Sequence, residues 1–116
     1  MERSRHVLTF HELIRENRVV MIGPVRQEVL SGVRNEPQFK LLRDKLKAWP
    51  DLRLESEDYE RAAEHFNTCR SKGIQGAHTN FLICAIAEKH NLAVLTTDKD
   101  FIQYASIVPL KLFLLP

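Results

Sequence analysis

Short apolar runs alternate with longer segments of mixed polarity along the chain. Three runs rich in branched apolar side chains have the length and composition of buried strands, and they cover Val19 to Ile22, Leu92 to Thr97 and Leu110 to Leu115. Leu52 to Leu54 is a candidate for a further short strand. The other segments carry apolar residues three and four positions apart, which predicts helices over 8–17, 24–31, 39–49, 56–73, 76–90 and 98–104.

The order of these elements predicts the fold class. Helices that alternate with short, wholly apolar strands are typical of an α/β domain, in which a parallel sheet is flanked by helices. The length of 116 residues fits one such domain over 1–116 and leaves no room for two. Because function in parallel sheets gathers at the carboxyl ends of the strands, the polar residues at those ends are the first candidates for a site.

Composition narrows the setting in which the protein acts. The 17 lysines and arginines against 15 aspartates and glutamates give a net charge of +2, which is no evidence for a nucleic-acid partner. The two cysteines, Cys69 and Cys84, do not form the pattern of a secreted disulfide scaffold, so we expect a reducing cytoplasm. The longest apolar run, Phe81 to Ala87, is far short of the roughly 20 residues that cross a bilayer, so we expect no membrane association.

Two aspartates follow the predicted strand at Leu92 to Thr97. Asp98 and Asp100 would reach the rim of the sheet, where a pair of carboxylates suits a metal ion. Either residue also suits the start of the next helix, since aspartate is a favoured N-terminal cap. Both interpretations remain open, and with two aspartates both roles can hold at once.

Glu28 and Asn80 are the other polar residues of interest. Glu28 borders the stripe of Val25 and Val29 on its helix, which should face the core. A carboxylate buried there needs a partner or a metal, and the alternative is a solvated residue on the flank of the helix. Asn80 comes early in its helix, beside Phe81, and the favoured interpretation from the sequence alone is a bond to the backbone at the helix N-terminus.

Other chemical signatures are missing from the sequence. It has no glycine-rich phosphate loop, no dinucleotide-binding glycine motif and no serine elbow, which excludes the corresponding nucleotide-binding and hydrolase classes. The five histidines lack the spacing of a zinc site. One helix face is largely basic and either contacts phosphates or is simply solvated, and it consists of Lys40, Arg43, Lys45 and Lys47.

Three segments, in this order, resemble the motifs of a PIN domain: GPVRQEVLSG at 23–32, GIQGAHTNFLICAIA at 73–87 and LTTDKDF at 95–101. The resemblance is greatest to VapC, the ribonuclease toxin of VapBC toxin–antitoxin pairs. It implies a PIN-like parallel sheet flanked by helices, a carboxylate cluster that holds Mg²⁺ or Mn²⁺, and cleavage of RNA, often a tRNA. It also implies a VapB-like antitoxin that blocks the site, and a homodimer.

The resemblance assigns roles residue by residue. Glu28, Asp98 and Asp100 become the expected metal ligands, with Thr96 as a supporting group. Asn80 joins them as a site residue but stands where the family normally has an aspartate, and an amide brings no negative charge to a metal. We therefore expect weaker metal binding and the loss of most nuclease activity. Two functions stay open: an impaired ribonuclease toxin, and an inactive PIN-like binding module that dimerises and binds an antitoxin.

The start of the chain departs from the same resemblance. The family opens with a strand that ends in an aspartate, and nothing before His11 matches it. We therefore expect an N-terminally shortened PIN-like sheet. Because the missing strand is central in the family, its absence would expose strand edges that pair with another chain. The expected result is a homodimer with exchanged segments, or a fold that depends on a partner.

Overall fold

The computed structural model describes residues 20–96 and 98–114. Along this part of the chain the elements are α1 (Gly23–Ser31), α2 (Glu36–Leu46), α3 (Ser56–Ser71), α4 (His78–Lys89), β1 (Ala93–Thr96), α5 (Asp100–Ala105) and β2 (Lys111–Leu114). The described residues divide into two compact units, residues 20–54 and residues 55–114. No helix within the described residues is long and apolar enough to span a membrane.

The unit of residues 20–54 contains α1 and α2. Pro24 lies in the first turn of α1, where its missing N–H is no loss. The Asn35 side chain accepts the N–H of Gln38 at 3.0 Å and caps α2, which therefore begins at Glu36, earlier than the apolar spacing predicts. Arg26 connects α1 to the end of α2 and to the segment that follows it, because its guanidinium pairs with Asp51 at 2.8 Å and also donates to the backbone carbonyls of Leu46 and Trp49.

Strand pairing in this unit is limited to one parallel bridge, between Met21 and Asp51. The Leu52 N–H donates to the Met21 carbonyl at 2.8 Å beside it. The strand predicted over Leu52 to Leu54 is wrong, and of the strand predicted at Val19 to Ile22 only Met21 pairs within the described residues. The reason is local, since α1 begins at Gly23 and the carbonyl of the extended residue Ile22 accepts the first N–H groups of that helix.

The unit of residues 55–114 contains the parallel sheet. Strands β1 and β2 pair in parallel, with Val94 opposite Leu112, and α5 lies between them in the sequence. Helix α4 contacts β1, and α5 contacts β2. The predicted α/β class with a parallel sheet flanked by helices is confirmed, with two strands among the described residues. The buried side chains of this unit include Ala62, Cys69, Phe81, Cys84, Ile86, Val94, Phe101, Tyr104 and Val108.

The expected absence of an opening strand concerns residues 1–19, which lie outside the described residues. The predicted helix over 8–17 lies there too. The shortened sheet and the dimer with exchanged segments therefore stay predictions, as does a single domain over 1–116.

Ionic side chains line the contact between α3 and α4. The Arg61 guanidinium donates to both carboxylate oxygens of Glu88, at 2.9 Å each, and His65 Nε2 lies 3.0 Å from Glu88 Oε1. The Lys89 ammonium donates to the buried Asp58 carboxylate at 3.1 Å. The other oxygen of Asp58 accepts a backbone N–H at the start of α3. The carboxylates of Asp58 and Glu88 are tolerated at this contact because each accepts hydrogen bonds from charged side chains or from the backbone.

These contacts make the unit sensitive to acid. Hydrogen bonds from Arg61 and His65 lower the pKa of Glu88 from 4.5 to about 2, although burial acts in the opposite direction. A carboxylate whose pKa is depressed by folding stabilises the protein at pH values above its unfolded pKa. That stabilisation is lost as the pH falls from about 4.5 towards about 2, because in this range the unfolded chain binds a proton at Glu88 that the folded protein does not.

We expect the free energy of unfolding to fall by about 1–3 kcal/mol, the usual worth of hydrogen bonds to charged groups, as the pH drops through this window. In Glu88→Gln this fall should be clearly smaller. Urea unfolding followed by circular dichroism at several pH values measures it. Glu60→Gln, at an exposed position of α3, should keep the pH dependence of the parent. Identical pH profiles for Glu88→Gln and the parent would contradict the assignment.

Candidate functional site

The carboxyl end of β1 is folded by hydrogen bonds between side chains and backbone. Thr96, the last residue of β1, accepts the N–H of Asp98 on Oγ1 at 2.9 Å. Asp98 Oδ1 in turn accepts the N–H of Asp100, also at 2.9 Å, and Asp100 begins α5. Both aspartate side chains are exposed. The capping alternative thus applies to Asp98, whose carboxylate meets the start of the helix while lying at the rim of the sheet.

Asn80 lies in the first turn of α4, and its side chain points to another helix. Asn80 Nδ2 donates to the hydroxyl oxygen of Tyr104, on α5, at 3.3 Å. The interpretation favoured from the sequence, a side-chain bond to the backbone at the helix N-terminus, is therefore wrong. The partner is a side chain 24 positions away, which periodicity within one helix does not reveal.

Tyr104 is the residue of this neighbourhood that sequence reasoning missed. Its side chain is fully buried, and its ring packs against Phe81 at 4.9 Å and against Phe101 at 5.2 Å between centroids. A Cβ added to Gly76 would overlap the Tyr104 hydroxyl and lie 2.9 Å from Cζ, so the glycine makes room for the phenol. The available signal is the spacing of Phe101 and Tyr104, which puts an aromatic ring with a polar tip on the buried side of α5.

The charges of the two aspartates reach the same hydroxyl. Burial raises the pKa of Tyr104, the hydrogen bond from Asn80 lowers it, and the carboxylates of Asp100 and Asp98 raise it further. Asp100 precedes Tyr104 by four positions on α5, so the two residues lie on the same side of that helix. The structure therefore joins Asn80 to Tyr104 on the side of α5 that carries Asp100, and a hydrogen bond joins Asp98 to Asp100.

Glu28 lies on α1, in the unit of residues 20–54, and its side chain is exposed. The stripe beside it does not face a core: Val29 is 43% exposed, and none of the nine residues of α1, all of them described, is buried. The argument that burial forces a partner on Glu28 is therefore wrong. Glu28 remains a predicted metal ligand through its match to the PIN motif alone.

The donors present suit a hard divalent cation in type. Asp98 and Asp100 offer carboxylate oxygens and Asn80 an amide oxygen, and Mg²⁺ and Mn²⁺ prefer oxygen ligands. Within residues 20–96 and 98–114, no group of three or more His, Cys, Asp or Glu side chains is placed to hold a metal ion. The fit is thus one of donor type, since the three side chains offer two carboxylates and one neutral amide oxygen.

Several side chains of the basic face of α2 form ion pairs at the protein surface. Lys40 pairs with Glu36 at 3.0 Å, and Asp44 pairs with Arg43 at 3.2 Å and with Lys47 at 3.6 Å. Such exposed pairs contribute about 0–1 kcal/mol each and exchange readily with solvent. The structure thus shows a solvated helix face, and contact with phosphates stays a prediction.

Comparison with known proteins adds the family. A comparison with curated proteins finds no match. The family model of the PIN domain matches residues 1–107, which is most of the chain and includes Asn80, Asp98 and Asp100. Proteins with this domain are generally metal-dependent nucleases. Because the match spans far more than half of the sequence and agrees with the parallel sheet, the chain belongs to the PIN domain family.

Proposed function

We propose that this protein is a metal-dependent endoribonuclease of the VapC type, the toxin of a type II toxin–antitoxin pair, and that it cuts RNA of the tRNA class. The observation that carries the proposal is that, in a PIN domain, Asp98 and Asp100 follow β1 and are joined by a hydrogen bond, while Asn80 is bonded to Tyr104 of the helix that Asp100 begins. Oxygen donors at this edge suit a cation that binds phosphate.

The ligands we propose for Mg²⁺ or Mn²⁺ are Asp98, Asp100 and Glu28, with the amide oxygen of Asn80 as a neutral donor. When bound, the cation supplies charge stabilisation at the phosphate and a more acidic water. The hydrogen bond from the Asp100 N–H orients the Asp98 carboxylate, and Thr96 fixes the backbone before it. An amide has no useful basicity, so a proton released during hydrolysis goes to a carboxylate and not to Asn80.

The partners follow from the same proposal. A VapB-like antitoxin restrains the nuclease, the chain forms a homodimer, with exchanged segments where strand edges are open, and the pair acts in the cytoplasm. PIN domains often act with antitoxins and bind RNA, which supports these assignments. The basic face of α2, with Lys40, Arg43, Lys45 and Lys47, is our candidate for contacts to RNA phosphates.

Cleavage of a total tRNA pool tests the proposal. We expect cutting with Mg²⁺ or Mn²⁺, none with EDTA, and a loss of at least about tenfold in Asp98→Asn and in Glu28→Gln, since each removes one charge from a cation site. Glu57→Gln makes the same kind of change at an exposed position of α3 and should cut like the parent. Cutting that survives EDTA, or an Asp98→Asn variant as active as the parent, would refute metal-dependent catalysis at this edge.

A second candidate is the catalytically inactive binding module. One observation favours it: a neutral amide stands at position 80, where the PIN resemblance has an aspartate. The module would bind its antitoxin without cutting RNA under any metal condition. Stable antitoxin binding by a chain that is silent with both metals would favour this function over the enzyme.

A further inference from the structure

We propose that Tyr104 is a positioning residue for Asn80, whose amide it holds so that the oxygen, and not the nitrogen, is presented to a divalent cation. The inference rests on the proposed function and deepens it. It concerns a side-chain contact between two helices, α4 and α5, whose two residues are 24 positions apart in the sequence.

The hydroxyl that holds the amide is itself fixed in place. The Tyr104 side chain is fully buried, and Phe81 and Phe101 pack on its ring. Gly76 lies against the hydroxyl so closely that even one added carbon would overlap it. A ring confined on three sides has one orientation, so its oxygen is a fixed acceptor for the Asn80 Nδ2–H at 3.3 Å.

The need for such a contact comes from the chemistry of an amide. A carboxylate presents an oxygen whichever way it rotates, because its two ends are equivalent. An amide presents an acceptor oxygen at one end and a donor NH₂ at the other, and the NH₂ end repels a cation. Asn80 therefore works as a cation ligand in only one of its two orientations. With Nδ2 held by Tyr104, Oδ1 is turned away from the phenol.

The location of the phenol makes this orientation useful. Asp100 precedes Tyr104 by four positions on α5, so the amide that Tyr104 holds lies on the side of the helix that carries this proposed carboxylate ligand. The Asp98 carboxylate is oriented by the Asp100 N–H. Asn80 and Asp98 thus each have an orienting hydrogen bond, which is the usual way in which ligands to a metal are held.

The test measures the binding of Mn²⁺ through the paramagnetic broadening of ¹⁵N-labelled signals. Four proteins are compared: the parent, Tyr104→Phe, Asn80→Asp and the double variant. Tyr104→Phe keeps the packed ring and removes only the hydroxyl. We expect it to raise the Mn²⁺ midpoint about threefold to tenfold in the Asn80 background, the effect of one lost hydrogen bond. In the Asn80→Asp background we expect no such shift, because a carboxylate needs no orientation.

The other tyrosine of the chain provides the matched control. Tyr59 is 52% exposed on α3, so Tyr59→Phe removes a hydroxyl without touching the site and should leave the Mn²⁺ midpoint unchanged. The side-chain NH₂ signals of Asn80 provide a readout that needs no metal. They should shift in Tyr104→Phe and stay in place in Tyr59→Phe.

The possible results separate the two proposals. Suppose that the parent binds Mn²⁺. If Tyr104→Phe then binds it equally well, or weakens binding to the same extent with Asn80 and with Asp at position 80, the positioning role is overturned and the proposed function stays intact. A parent that binds no Mn²⁺ contradicts the proposed function. In that case the Asn80 NH₂ signals test the hydrogen bond to Tyr104: a shift of these signals in Tyr104→Phe supports the bond, and unchanged signals overturn it.

Discussion

Asn80→Asp is expected to strengthen Mn²⁺ binding by at least about tenfold and to raise metal-dependent RNA cleavage with it, since a unit charge near a cation contributes about 1–4 kcal/mol at the effective dielectric constants of protein surfaces. The new carboxylate would lie beside Tyr104, on the side of α5 that carries Asp100, and would add one negative charge to the proposed ligands. Isothermal titration with Mn²⁺ and cleavage of a tRNA pool at limiting metal measure the two effects.

The control for this prediction adds the same charge elsewhere. Asn67 is exposed on α3, and Asn67→Asp changes the net charge of the protein by the same amount. We expect it to bind Mn²⁺ as the parent does, because Asn67 is not among the proposed ligands and salt screens the interactions of an exposed charge. If both variants bind Mn²⁺ more tightly by the same factor, the effect comes from the net charge of the protein, and Asn80 is not a ligand. If Asn80→Asp leaves binding and cleavage unchanged, the substitution at position 80 is not what limits this protein.

The position of the carboxylates could be predicted from the sequence because it follows from local rules. Asp98 and Asp100 come directly after an apolar run, and the carboxyl end of a parallel strand is the edge where ligands bind. The structure confirms that position and adds the hydrogen bonds from Thr96 to Asp100 that shape it. The prediction needed nothing beyond the order of residues within one short segment.

The contact of Asn80 could not be predicted in the same way. Its partner Tyr104 lies on a different helix, and the bond exists because Gly76 lets the phenol approach and because Phe81 and Phe101 fix the ring. Such a contact depends on how α4 and α5 pack, and apolar periodicity shows only which side of each helix is buried. The periodicity was sufficient to predict that both helices exist.

The unit of residues 20–54 shows where periodicity misleads. Val25 and Val29 are spaced as on the buried face of a helix, yet Val29 is 43% exposed and Leu41 of α2 is 58% exposed. What connects this unit is polar: Arg26 reaches Asp51 and two carbonyls across some twenty positions of sequence. A long arginine side chain can make such contacts from many positions, so its partners do not follow from spacing.

The second large effect is expected from Gly76→Ala, which should lower the free energy of unfolding by about 1–3 kcal/mol, the usual cost of forcing an extra carbon into a packed core. The added Cβ would overlap the Tyr104 hydroxyl and lie 3.1 Å from a ring carbon of Phe81. Tyr104 cannot yield without disturbing Phe101, because the rings are in contact. Urea unfolding measures the loss.

Two further variants show whether the phenol is the cause. Gly32→Ala is the matched control, since its Cβ would meet its nearest neighbour, a backbone oxygen, at an ordinary 3.8 Å, and we expect a change within about 0.5 kcal/mol. Tyr104→Phe removes the overlapping oxygen, so Gly76→Ala should be less destabilising in that background than in the parent. Equal losses in both backgrounds would show that the overlap with the hydroxyl is not responsible. A smaller loss of stability from Gly76→Ala in the Tyr104→Phe background would mean that the Tyr104 hydroxyl requires a glycine at position 76. The space left by Gly76 would then be what allows Tyr104 to accept the hydrogen bond from Asn80.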